Sequence, residues 1–209
     1  MKHIESLLQR YPSLFDLKND LIGAFETLRK TYEQGGKLLI CGNGGSSADA
    51  EHIVGELMKD FCVTRKIPSD FAEKLDKITE NEAVKVGLRR ALPAISLCSH
   101  TALMTALMND GDPALVFAQQ VYALGKPADT LLALSTSGNS ANVVRSAEVA
   151  KALDMQVIAI TGEKGGALAK LADIVLALPE TETYKVQELT LPIYHTLCLM
   201  LEEHFFAKN

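Results

Sequence analysis

"TLLALSTSGNSANVV", residues 130–144, decides the fold. A short, almost wholly apolar run passes directly into a loop of serine, threonine, asparagine and glycine, and then into a stretch with helical spacing. A strand without polar alternation is buried on both faces, which is the situation of a parallel strand between two layers of helices. The unit recurs along the chain: "KLLIC" (37–41), "PAISLC" (93–98), "QVIAIT" (156–161) and "DIVLAL" (173–178) are also short apolar runs. Most are followed by a glycine- or serine-bearing turn and a helix-like segment. The alternation predicts an α/β domain with a doubly wound, five-stranded parallel sheet flanked by helices.

Before the first strand, Ile4, Leu7 and Leu8, then Leu17, Leu21, Ile22, Phe25 and Leu28, keep helical spacing on either side of a break near Pro12. Gly35 and Gly36 end the second of these helices. Residues 1–34 are therefore an N-terminal helical segment of one domain, 1–209. With 47% apolar and 22% charged residues, a chain of 209 residues can bury a substantial core. Its net charge of -5, with no long basic run, leaves no electrostatic footprint for nucleic acid or an anionic membrane. No apolar stretch approaches the ~20 residues of a membrane span, and the start lacks a continuous signal-peptide core, so the expected location is the cytoplasm. Cys41, Cys62, Cys98 and Cys198 have no CxxC spacing and read for the most part as small core residues.

In doubly wound sheets ligands collect at the carboxyl ends of the strands. Two loops there are unusual: "CGNGGSSADAEHIVGEL" (41–57) after the first strand, and "STSGNSANVV" (135–144) after the third. Glycines admit a ligand close to the backbone, hydroxyls donate hydrogen bonds, and a helix start favours an anion. Serine and asparagine also simply cap helices, so one such loop alone is weak evidence. Neither loop has the lysine of a Walker loop or GxGxxG spacing, which turns the reading from nucleotides to a small sugar phosphate held by neutral donors.

With a helix starting near Ala48, His52 and Glu56 share one face. Imidazole and carboxylate suit zinc, but two ligands make an incomplete site, and an ordinary helix ion pair has the same spacing. The apolar segment 185–206 holds two further polar residues of interest, Gln187 and His195, although a lone histidine among Leu, Ile and Tyr is commonly a packed core residue.

"CGNGGSSADAEH…E", Asn109-Asp110, "STSGNSANV", "ITGEKGG", and Gln187, Glu188 and His195 together resemble the sugar isomerase (SIS) fold. More narrowly they resemble phosphoheptose isomerases, which convert sedoheptulose 7-phosphate to D-glycero-D-manno-heptose 7-phosphate at the head of nucleotide-activated heptose synthesis. The resemblance implies one Zn2+ per subunit held by His52, Glu56, Gln187 and His195, with Glu56 and His195 also in acid/base catalysis. It implies substrate contacts at Asn43, Gly44, Gly45, Ser46, Glu56, Asn109, Asp110, Ser135, Thr136, Ser137, Ser140 and Gln187, and a homotetramer with active sites near subunit interfaces.

Eight residues of straight helix set Gln187 and His195 about 12 Å apart along the axis, too far for one metal ion. Pro192 between them is expected either to bend the helix or to mark its first turn, unless the ligands come from different subunits. Residues 64–92 exceed the short connection the resemblance implies, and their charge-rich pattern predicts an inserted surface helix. Lys59 and Asp60 stand where an arginine is common, and His100 where an acidic residue is common. His3, His100 and His204 have no partner visible in the sequence. A non-catalytic SIS protein that binds another protein, of the replication-initiator-associating type, would share the opening loop, and another sugar-phosphate isomerase and a sugar-phosphate-sensing module are further alternatives; His195 beside Gln187 favours the enzyme over the non-catalytic protein.

Overall fold

The computed structural model describes residues 1–207. Helix α1 (Lys2–Arg10) is followed by a 3-10 turn, Pro12–Leu17, and α2 (Lys18–Glu33), so the break falls at Pro12 as expected. The chain continues with β1 (Leu38–Cys41), α3 (Gly45–Met58), α4 (Ser69–Asp76), α5 (Glu82–Gly87), β2 (Ala94–Ser96), α6 (Thr101–Asp110) and α7 (Val116–Leu124). It ends with β3 (Thr130–Ser135), α8 (Ala141–Ala152), β4 (Gln156–Gly162), β5 (Ile174–Leu178) and α9 (Thr183–Phe206). The five strands form one parallel sheet in the order β2-β1-β3-β4-β5.

Period-two alternation sorts the strand residues between two cores. Leu38, Ile40, Leu132, Leu134, Ile158 and Ile160 face a cluster shared with α1, α2, α3 and α9. Leu39, Cys41, Leu131, Ala133, Val157 and Ala159 face the opposite cluster, built with α7 and α8. Every residue of β1 and β3 is buried, which is why these runs show no polar alternation. The strand order reverses between β1 and β3, so the loops after these two strands flank the crevice where doubly wound sheets bind ligands.

Three local expectations change. Helix α3 begins at Gly45 rather than near Ala48, because Ser46 N–H already bonds to the Asn43 carbonyl (3.1 Å) and Ser47 N–H to that of Gly44 (3.0 Å). Helix α9 runs from Thr183 to Phe206 with Pro192 inside it, so proline does not mark a first turn. Segment 64–92 forms two short helices, α4 and α5, with no buried residue in either, and the chain at their base is joined by an antiparallel bridge between Lys66 and Arg89. Of the cysteines, Cys41 and Cys198 are core residues, burial pushing each thiol up to about 12, whereas Cys62 is exposed.

Arg65 anchors this excursion to the domain. It is 1% exposed, donates from Nε to Glu202 Oε1 (2.8 Å), and donates from Nη1 and Nη2 to the carbonyls of Leu57 (2.7 Å) and Glu56 (2.8 Å) that end α3. Glu202, equally buried, also accepts from the backbone N–H groups of Phe61 and Cys62. Asp60 takes the Arg65 N–H and the Arg89 Nε, and the first of these bonds, then the guanidinium, hold its carboxyl below the usual carboxylate range. Arg65→Met would strand the Glu202 carboxylate inside the protein at a cost of about 3 kcal/mol or more, a fall in Tm on the order of 10 °C by calorimetry. A change within about 2 °C would show that the pair does not anchor the excursion.

Candidate active site

The site has two halves, one at the crevice and one along the seam between α3 and α9. At the crevice, the loop after β3 is shaped by its own hydrogen bonds: Ser135 Oγ to Ser140 Oγ (3.1 Å), Asn139 N–H to Ser137 Oγ (3.1 Å), and Ala167 N–H to Asn139 Oδ1 (2.9 Å). Thr136 accepts the Gly162 N–H at its carbonyl (2.9 Å), tying the loop to the end of β4. Gly138 has φ +66°, and a Cβ there would lie 1.9 Å from the Gly165 carbonyl oxygen, so only glycine fits. Loop β1–α3 places Asn43, Gly44 and Gly45 at the surface and buries Ser46. The two loops touch through a reciprocal amide pair, Asn43 with Asn142, at 2.9 Å in each direction.

Gln187 stands beside the first loop. A Cβ on Gly45 would lie 2.7 Å from Gln187 Nε2, so the absence of a side chain at Gly45 is what lets α9 bring this amide against the start of α3. His52 is seven residues further along α3, about 10 Å away along the axis.

The second half gathers His52, Glu56 and His195. His52 Nε2 lies 3.2 Å from Glu56 Oε1, and the His52 and His195 ring centroids are 5.0 Å apart. Tyr194 Oη sits 2.9 Å from His52 Nδ1 and 3.2 Å from Asp49 Oδ1. An ionised Asp49 only accepts, so the single phenolic proton goes to Asp49 and the phenolic oxygen accepts from His52 Nδ1–H. The other ring nitrogen of His52, Nε2, is the one that faces Glu56 Oε1. Burial, and then Asp49, push the Tyr194 phenol well above its ordinary range and keep that proton in place, while burial also raises the Asp49 carboxyl. His195 Nε2 is buried without a hydrogen-bond partner, and burial, followed by neighbouring His52, holds its imidazole below the ordinary histidine range.

An orphaned imidazole nitrogen near a carboxylate and a second imidazole suits a positive centre, and two imidazoles with a carboxylate are a zinc donor set. The chemistry of the residues fits the metal. The spacing within one chain is that of an open, partial site, since among the described residues no three His, Cys, Asp or Glu side chains are grouped closely enough to hold an ion. Lys59 Nζ, 3.0 Å from Glu56 Oε2, supplies a cation to the carboxylate's other oxygen.

Asn109 and Asp110 close α6 at the surface, where Asn109 Nδ2 donates to Asp110 Oδ1 (2.8 Å); no hydrogen bond among the described residues joins them to either half of the site. The three histidines without a visible partner all have one: His100 Nδ1 meets Gln120 Oε1 at 2.6 Å, His3 meets Glu203 at 2.7 Å, and His204 meets Glu33 at 3.2 Å. Asp49, Tyr194, Asn142 and the Arg65–Glu202 pair escaped the sequence reading. Asp49 alone left a signal, three residues before His52 on the same helix face.

Comparison with known proteins points one way. The SIS domain family profile matches residues 93–200. Phosphoheptose isomerase of Helicobacter pylori (strain P12) is 37% identical over 209 residues, covering 100% of this chain and 95% of that protein. The enzyme of that name from Shewanella baltica (strain OS155) is 34% identical over 208 residues, covering 98% and 93%. Among solved structures, a phosphoheptose isomerase from Francisella tularensis aligns with TM-score 0.77 at 32% identity, covering 97% of this chain and 95% of that one. That from Neisseria gonorrhoeae aligns with TM-score 0.75 at 30% identity, covering 97% and 96%.

Gly138→Ala tests the crevice. Left-handed strain and the overlap with Gly165 should together cost about 3 kcal/mol in thermal or urea unfolding; a variant as stable as the parent would mean that the loop after β3 is not held as described.

Proposed function

The chain belongs to the phosphoheptose isomerase family of SIS-domain proteins, and we propose that it converts sedoheptulose 7-phosphate to D-glycero-D-manno-heptose 7-phosphate, opening nucleotide-activated heptose synthesis and, through it, lipopolysaccharide assembly. The observation that carries the reading is that the Glu56 carboxylate and the His195 ring, whose Nε2 is buried and unpartnered, both lie beside one His52 ring. It gives a base and a proton carrier on two packed helices.

The phosphate is taken by the hydroxyls and N–H groups of Ser135, Thr136, Ser137 and Ser140, aided by the N-terminus of α8. Asn43, Gly44, Gly45, Ser46, Asn109, Asp110 and Gln187 receive the sugar. Ketose-to-aldose conversion moves a proton from C1 to C2 through an enediol: Glu56 removes the C1 proton while O2 gains one, and the enediol then loses the O1 proton and is protonated at C2. His195, kept neutral at ordinary pH by its burial, serves the oxygens, accepting and returning their proton. His52, Glu56, Gln187 and His195 would hold zinc, one ion per subunit, and the ion would supply Lewis-acid stabilisation of the charge developing on the sugar oxygens. Tyr194 and Asp49 hold the His52 ring in the orientation and tautomer that such a ligand needs.

Gln187 lies about two helical turns from His52 within its own chain, so its contribution to one ion comes from a neighbouring subunit of a homotetramer. The apolar helix α6 supports that assembly: it buries no residue, and Leu103, Met108 and nearby Tyr122 are exposed at 43%, 44% and 68%. Light scattering is expected to give four times the 22.7 kDa chain mass. No helix among the described residues is long and apolar enough to cross a membrane. We place the reaction in the cytoplasm because a phosphorylated sugar does not cross a bilayer unaided.

The test is an isomerase assay over heptose and hexose phosphates, with and without zinc. Sedoheptulose 7-phosphate should be the preferred substrate, and Glu56→Gln should lower kcat by about 10³-fold with a much smaller change in KM. Near-normal turnover in Glu56→Gln would remove Glu56 as the base. Chelation should lower both the metal content and Tm, with zinc restoring both together with activity; active enzyme shown by elemental analysis to hold no metal would end the zinc proposal.

A further inference from the structure

The reciprocal amide pair between the two crevice loops gives a role to a residue that has none so far. Asn142, the second residue of α8, donates from Nδ2 to Asn43 Oδ1 and accepts from Asn43 Nδ2 at its own Oδ1, each at 2.9 Å. The same Asn142 Oδ1 accepts the backbone N–H of Val143 at 3.0 Å, a donor it shares with the Ser140 carbonyl (3.0 Å). A backbone N–H can only donate, so this third contact determines which end of the Asn142 carboxamide is oxygen. The pair then determines it for Asn43.

Asn43 needs such a partner. It is exposed, it belongs to a glycine-rich turn, and no side chain caps the helix that follows. Left alone, its carboxamide could rotate, and a ligand would have to order it on binding. The pair consumes one N–H and one acceptor position of Asn43 and leaves a second of each for a ligand. It also spans the point where the strand order reverses, linking the loop after β1 to the helix start after β3.

We propose that Asn142 is a positioning residue of the sugar-phosphate site: it orients the Asn43 carboxamide before substrate arrives and fixes the separation of the two loops that receive the sugar and its phosphate. The proposal rests on the reading of Asn43 as a substrate contact. It assigns Asn142 an effect exerted through Asn43, on binding rather than on proton transfer.

A double-mutant cycle on the full-length enzyme, read as KM and kcat for sedoheptulose 7-phosphate, tests this. Asn142→Ala should raise KM about fivefold, the loss of a hydrogen-bonded contact, with kcat within about twofold and Tm little changed. Asn43→Ala should raise KM at least as much, and adding Asn142→Ala to it should change KM by less than about twofold. Asn142→Asp, which still accepts from Val143 N–H but cannot donate to Asn43 Oδ1, should raise KM as well and guards against a misfolded helix start. Equal KM effects of Asn142→Ala in both backgrounds, or an unchanged KM in Asn142→Asp, would overturn the proposal while leaving Asn43 as a contact. If Asn43→Ala alone changes nothing, the reading of Asn43 fails, and the proposal falls with it.

Discussion

The relative position of α3 and α9 depends on the buried pair of Arg65 and Glu202. Removing both charges from water costs several kcal/mol per ion, and the cost is offset because each guanidinium nitrogen and both carboxylate oxygens have a partner. Arg65 reaches Glu202 and the two carbonyls at the end of α3; Glu202 reaches Arg65 and two backbone N–H groups just beyond it. A slip of α9 by one residue would break this set at once. Because one of the carbonyls belongs to Glu56, the pair that joins the helices also fixes the backbone of the candidate base, with His195 two turns back along α9.

The two halves of the site use different electrostatics. At the crevice the hydrogen bonds involve neutral groups: hydroxyls, carboxamides and backbone amides around a helix start, which suit a phosphate that brings its own charge. Along the seam, charge is concentrated instead. Glu56 is bordered by His52 on one oxygen and Lys59 on the other, while the Asp49–Tyr194–His52 chain sets which imidazole nitrogen is free. Burial keeps His195 neutral beside them. Isomerisation needs this division, because binding an anion and moving protons between carbons and oxygens call for different surroundings.

The sheet was legible from the sequence because five apolar runs without alternation can be buried in only one kind of layer, and the observed strands depart from the expected runs by a residue or two at their ends. The two crevice loops were legible from glycine and hydroxyl content placed after strands. Local geometry was less so: α3 starts three residues early because backbone bonds to Asn43 and Gly44 close the turn without any capping side chain. The path of 64–92 was hidden because its anchor, Arg65, pairs with a glutamate 137 residues away. The hydrogen-bond roles of Tyr194 and Asn142 were hidden for the same reason, since each depends on a contact between distant segments that no periodicity records. Pro192 read as a bend or a first turn; it is buried inside α9, and the helix continues through it.

The claim that the α3–α9 seam moves protons through an enediol is tested most directly by converting sedoheptulose 7-phosphate in D2O and following the products by NMR. The account predicts an aldoheptose 7-phosphate that carries solvent deuterium at C2. Recovery of the ketose phosphate unchanged, with neither product nor exchange at C1, would contradict it.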